Sequence, residues 1–199
     1  PWCVRNTIVF HQPVGLTTGG GSVLAGANLP STYYGDLLGG HDFNGLSSTP
    51  AGRHPARNEA VQSGRWRRDA LRYVGHHLGR APLIALIRVA RTWSLYPLSP
   101  QQNVAFVASN NGHLHRTEYV ALLEYLAVLV LAVVGLRSLP PGTGTRWLLA
   151  APLVFVTLVS VLAYGDVRFR QAANVALVVL AGIALARLTR LPQRRVARR

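Results

Sequence analysis

Tyr164-Gly165-Asp166-Val167-Arg168-Phe169-Arg170-Gln171-Ala172-Ala173-Asn174 is a short polar stretch set between two long apolar ones. Trp147 to Tyr164 carries no charged residue, and neither does Gln171 to Ala186. A hydrocarbon core of about 30 Å takes roughly 20 helical residues to cross, so each run is long enough, or nearly so, to span. The polar stretch then becomes a hinge at a membrane surface. Placing an arginine at bilayer depth costs about 2.5–3.5 kcal/mol. Arg168 and Arg170 are therefore expected to snorkel to water or to meet an anion.

Outward from the hinge, a third apolar run covers Glu118 to Leu136, and Arg137 to Arg146 separates it from the second. The final stretch, Arg187 to Arg199, holds six arginines in thirteen residues. The positive-inside rule places such a tail in the cytoplasm. Counting back, the hinge lies outside, Arg137–Arg146 inside, and everything before Glu118 outside. The hinge is a short outer loop that still carries two arginines. Orientation does not require them, which favours a specific anion over simple snorkelling. Glu124 sits about six residues into its run, roughly 9 Å deep at 1.5 Å per residue. Its carboxylate is expected to face protein or water rather than lipid, paired with an arginine of the preceding helices or the hinge, or else reaching the surface.

The totals agree with a membrane protein. The 199 residues are 49% hydrophobic and only 14% charged, and the mean hydropathy is +0.21. The formal charge is +14, and every Lys/Arg-type residue is arginine. Such a charge raises nucleic acid as a partner, but the arginines flank apolar runs and no nucleic-acid-binding motif occurs. No nucleic-acid partner is expected. The single cysteine, Cys3, excludes an intrachain disulfide. The chain has no methionine, starts at Pro1 and shows no signal peptide. The expectation is the C-terminal piece of a longer protein.

Residues 1–62 are mixed and turn-rich, and predict a small extracytoplasmic α/β lobe. Val4–Phe10, Val14–Thr18 and Ser22–Ala27 have the composition of strands, with Gly19-Gly20-Gly21 as a turn. A phosphate-cradling loop there would need a following Gly-Lys-Ser/Thr, which is missing. Tyr33-Tyr34-Gly35 and Leu38–Gly45 read as ordered loop. Residues 63–97 predict two amphipathic helices lying in the membrane interface. In Arg65–Arg80, the residues Trp66, Ala70, Tyr73, Val74, His77 and Leu78 share one face. Arg65, Arg68, Asp69, Arg72, His76 and Arg80 share the other. A basic face opposite an aromatic one suits the headgroup region, the alternative being a solvated helix packed on the lobe. Pro82 breaks the pattern. Leu83–Tyr96 follows, with Arg88 and Arg91 one turn apart, an uncharged run too short to span, and Trp93 and Tyr96 as interface anchors. An outer loop over 98–117 contains His113-Gly-His115, two histidines without a third metal ligand, so no metal site is expected. The fold class is thus mainly α and integral to the membrane. Three spans run over 118–136, 147–164 and 171–188, within a helical region of 118–190, and a basic tail covers 191–199.

Pro1-Trp2-x-x-Arg5-Asn6, Thr17-Thr18-Gly19-Gly20-Gly21-Ser22-Val23-Leu24 and Gly26-Ala27-Asn28 resemble a stretch of bacterial GT-C membrane glycosyltransferases, the group akin to protein mannosyltransferases and the lipid A aminoarabinose transferase. Ala70-Leu71-Arg72-Tyr73 through Gly79-Arg80 resembles their amphipathic helix, and Arg88–Tyr96 the helix after it. Gly165-Asp166-Val167-Arg168-Phe169-Arg170 resembles their Arg-aromatic-Arg hinge. The matches cover most of the chain in the family's order. The chain departs where the family's hinge continues with prolines, having Ala172 and Val175, and has Asn174 where an acid is common.

The resemblance implies a multi-pass enzyme that takes a sugar from a polyprenyl-phosphate carrier outside the membrane. Its partners would be that lipid-linked donor and membrane lipid. The catalytic carboxylate would lie upstream of Pro1, so the catalytic residues are unknown here, and no cofactor is named. Arg168 and Arg170 are the first candidates for the lipid phosphate, since a guanidinium binds phosphate oxygens bidentately. In an extended turn they would converge while Phe169 faced away, with Asp166 orienting one guanidinium. Arg5, Asn6 and Asn28 are substrate-binding candidates by resemblance. The rival readings are a non-enzymatic membrane protein with an outer ligand- or partner-binding lobe, and a transporter. A transporter should show inverted repeats or polar midplane residues, and only Glu124 and Asn174 come close.

Overall fold

The computed structural model describes residues 1–99, 101–105 and 115–196. Helix accounts for 71% of it, and no strand occurs among the described residues. The expected α/β lobe is therefore corrected to an all-helical one. Contacts divide the chain into two units: Pro1–Val89 with Val161–Gly165, and Ala90–Ser160 with Asp166–Arg199.

In the first unit, the stretch expected as a first strand is helix α1 (Trp2–Phe10). Its β-branched residues suit a strand, but a short apolar run has no periodicity that excludes a helix, and tertiary bonds decide. The Trp2 indole donates to the Leu16 carbonyl at 3.1 Å and the Asn6 amide to the Gly15 carbonyl at 3.1 Å. Val14–Thr18 is the loop these bonds hold. The expected third strand and glycine turn become α2 (Gly20–Gly26). Glycine is required here by a close approach. A Cβ on Gly21 would lie 2.0 Å from the Ser63 carbonyl oxygen, and the Gly21 N–H donates to the Ser63 hydroxyl at 3.0 Å.

Ser63 belongs to α5 (Glu59–His76), which follows the short α3 (Pro30–Tyr33) and α4 (Pro50–Arg53). Helix α5 begins six residues earlier than its periodicity suggests. Asn58 caps it, accepting from the Ala60 and Val61 N–H groups, with Glu59 in the first turn where the helix dipole favours an anion. Ala70 is buried as expected and Tyr73 partly so, whereas Leu78 is exposed. Helix α6 (Ala81–Thr92) starts at the predicted break, with Pro82 in its first turn, where its missing N–H costs nothing.

The second unit contains α7 (His115–Ser138), most of α8 (Gly144–Leu162) and α9 (Asn174–Val196), with a 3-10 turn over Phe169–Ala173. Three segments are long and apolar enough to cross a membrane: Tyr119–Ser138, Gly144–Leu162 and Phe169–Thr189. They match the three expected runs to within a few residues. Helices α7 and α9 pack closely, since a Cβ on Gly135 would meet the Leu180 carbonyl oxygen at 1.9 Å. Small residues allow such contact between apolar helices, and Ala132, Leu180, Ala181 and Ala184 are buried with it.

Candidate functional site

Asn28 is the polar centre of the first unit. It follows α2 and is buried. Its Nδ2 donates to the Leu24 carbonyl at 2.7 Å, and its Oδ1 accepts from the Tyr33 hydroxyl at 3.0 Å and from Arg88 Nη2 at 3.1 Å. Arg88 Nη2 also donates to the Ala27 carbonyl at 2.6 Å, and Nη1 to the Val161 carbonyl at 3.1 Å. Val161 lies in the last turn of α8, where unpaired carbonyls and the dipole both favour a cation. Arg88 is only 6% exposed, and its recorded acceptors are all neutral. Burial accordingly holds its pKa below the ordinary arginine value, with Tyr33 opposing. The Tyr33 hydroxyl is pushed up by the same burial, with Arg88 opposing.

Arg5 and Asn6 sit together on α1, apart from this network. Arg5 is exposed, lies 5.1 Å from the Trp2 ring and donates to Asn6 Oδ1 at 3.3 Å. Neither makes a hydrogen bond to Asn28. Gly165, at the start of the hinge, donates its N–H to the Gly39 carbonyl at 2.8 Å. A cavity of about 320 Å³ in this unit is lined by Asn28, Thr49, Arg53, Asp69 and Tyr73, with Ala25, Leu29 and Ala70 among its apolar walls.

The hinge arginines belong to the second unit, and their geometry corrects the expected extended turn. Residues 167–168 form a turn that leads into the 3-10 helix from Phe169. Alternate residues in such a conformation do not share a face. Arg168 is exposed, and Asp166 Oδ1 accepts the Arg168 backbone N–H at 2.9 Å. Arg170 is half-buried. Its Nη1 donates to the Ser94 hydroxyl, and its guanidinium carbon lies 3.6 Å from the centre of the Tyr125 ring, a close cation–π contact.

Ser94 and Tyr125 escape the sequence reading. Ser94 follows the end of α6 in a left-handed conformation, φ 53°, and its carbonyl accepts from Asn103 Nδ2 at 3.0 Å. The Asp166 N–H donates to the Thr92 hydroxyl at 3.2 Å, so both ends of the hinge's polar turn meet the same short segment. Arg91 is buried too, 5.3 Å from the Tyr96 ring, and its pKa is lowered by burial with Tyr96 opposing. Ser94 lies between Trp93 and Leu95 and carries no sequence signal of its own. Tyr125 stands in an apolar run and carries no such signal. Glu124, next to it, is exposed.

Among the described residues no group of three or more His, Cys, Asp or Glu side chains could hold a metal ion. His113 and half of the outer loop lie outside the described residues, as do the last residues of the basic tail. No known protein family, curated protein or solved structure matches the chain.

Proposed function

We propose that this protein is a membrane glycosyltransferase that takes its sugar from a polyprenyl phosphate on the extracytoplasmic face. The observation that carries the reading is the seat of Arg170: a guanidinium held by a hydroxyl and a ring face, beside a segment apolar enough to span. Transfer breaks the bond between the sugar's anomeric carbon and a phosphate oxygen, while the acceptor hydroxyl attacks that carbon. Negative charge grows on the departing lipid phosphate, and a cation already in place stabilises it without reorganisation. Arg170 fills that role in this reading, and exposed Arg168 reaches the same phosphate from the aqueous side. The base that takes the acceptor's proton is a carboxylate outside the residues named here.

In the same reading the basic tail is cytoplasmic, and the lobe and hinge are outside, with α5 and α6 along the outer leaflet. The lobe's cavity supports a second reading, a non-enzymatic membrane protein that binds a ligand or partner there. The full-length protein in native membranes, supplied with a radiolabelled polyprenyl-phosphate hexose, separates them. Label leaving the lipid for a hydroxyl-bearing acceptor is the expected outcome. Donor that remains intact, with a ligand retained by the lobe, would favour the second reading. Cysteine labelling at positions 143 and 166 checks the orientation: Asp166→Cys should react from outside, and reaction of Thr143→Cys from outside would reverse it.

A further inference from the structure

The basic face of α5 does not lie open along its length. Arg65, Arg68 and Arg72 fall at i, i+3 and i+7, within one narrow arc of the helix, and α4 with the residue after it folds over them. The result is a pocket of about 300 Å³ walled by these three arginines, Asp69, Ala51 and His54. Arg65 is half-buried and fixed in direction, since its Nη1 donates to the His54 carbonyl at 3.0 Å. Asp69 is engaged by the Ala51 N–H, which donates to its Oδ2 at 2.8 Å. That bond leaves the acid as part of the wall. Three guanidinium charges against one carboxylate give the pocket a net charge of 3 − 1 = +2, with His54 neutral.

We infer that this pocket binds a phosphate monoester. A monoester carries close to two negative charges at neutral pH and three strong acceptor oxygens. The pocket's net charge matches that charge, and planar guanidinium forks match those oxygens. A neutral or cationic ligand would leave three like charges facing one another. The phosphate can belong to a soluble ester or to a lipid headgroup, and the inference stands whatever the hinge arginines do, since it uses none of them.

The test uses the full-length protein in phosphatidylcholine nanodiscs, with inorganic phosphate as the titrant. A second set of discs contains phosphatidic acid, and retained lipid is counted by native mass spectrometry. Arg68 and Arg72 are exposed, so Arg68→Gln/Arg72→Gln should leave the fold intact. Arg57→Gln/Arg67→Gln removes the same charge from exposed positions outside the pocket. Saturable binding should weaken roughly tenfold or more in the first pair, the loss of about 1.4 kcal/mol or more that two charge-assisted contacts imply. The second pair should bind as wild type. Phosphate binding in neutral discs assigns a soluble ester. Phosphatidic acid retention lost only in the first pair assigns a headgroup. Equal weakening in both pairs, or no saturable binding in either kind of disc, would overturn the inference.

Discussion

Arg88 in the first unit and Arg170 in the second show two uses of the same side chain. Arg88 is almost fully buried and turns its two Nη atoms to the carbonyls of Ala27 and Val161 and to Asn28, while its Nε has no hydrogen-bond partner among the described residues. Arg170 is half-buried, set against the Ser94 hydroxyl and the Tyr125 ring. The first arrangement ties three segments of the unit together through acceptors inside it, which is a contribution to the fold. The second holds a cation in place while leaving part of it accessible, which suits a ligand. A sequence scan for arginines near apolar helices finds both and cannot tell them apart.

The largest effect should come from Arg88→Leu. It removes three charge-assisted hydrogen bonds, but Asn28 Oδ1 keeps its bond from the Tyr33 hydroxyl and the Ala27 carbonyl its bond from the Thr32 hydroxyl, so the loss is about 2–4 kcal/mol in all. Hydrogen exchange in Ala27–Tyr33 should accelerate sharply, and Arg88→Lys should recover little because it lacks the fork. Unchanged protection would remove the contrast with Arg170.

Next come the two glycines at close approaches. Gly21→Ala and Gly135→Ala would each force a methyl to within about 2 Å of a backbone oxygen, and overpacking of this kind costs about 1–3 kcal/mol. Gly21→Ala should raise exchange in α2 and α5, and Gly135→Ala in α7 and α9. If Gly135→Ala loosened the lobe equally, the two units would not be independent in stability.

A smaller effect is expected at Asp42, and it depends on pH. Burial raises its pKa, but the Ser31 hydroxyl, the Gly45 and Asn44 N–H groups and His41 outweigh burial, and the net shift is downward. A lowered carboxylate contributes stability above its unfolded pKa, lost as the pH falls through the folded one. Asp42→Asn should therefore weaken protection of the 42–49 turn at neutral pH. The difference from wild type should narrow as the pH drops below about 4. A gap that widened on acidification would contradict the sign.

How much was legible in the sequence follows the same division. The three long apolar helices were, because Leu, Val and Ala runs of that length leave few alternatives. The lobe was not. Its helices are short, Trp2, Val4, Ile8 and Val9 are exposed, and its order rests on bonds between residues far apart in sequence, such as Asn6 to Gly15 and Gly21 to Ser63. The Asn58-Glu59 cap was readable but was overshadowed by the periodicity that begins later. At the hinge, the residue types were visible and their geometry was not. A 3-10 turn and an extended turn accept the same Arg-Phe-Arg, and only the distant Ser94 and Tyr125 distinguish where each arginine goes.

The most direct measurement is sugar transfer by full-length Arg170→Ala from a polyprenyl-phosphate donor, at matched membrane abundance and with exchange protection recorded on the same sample. One lost charge-assisted hydrogen bond is worth about 1.5–3 kcal/mol, so transfer should slow by about tenfold to a hundredfold. Lobe protection should stay at the wild-type level. A wild-type transfer rate in Arg170→Ala would contradict the account and leave Arg170, like Arg88, a residue that only holds the fold.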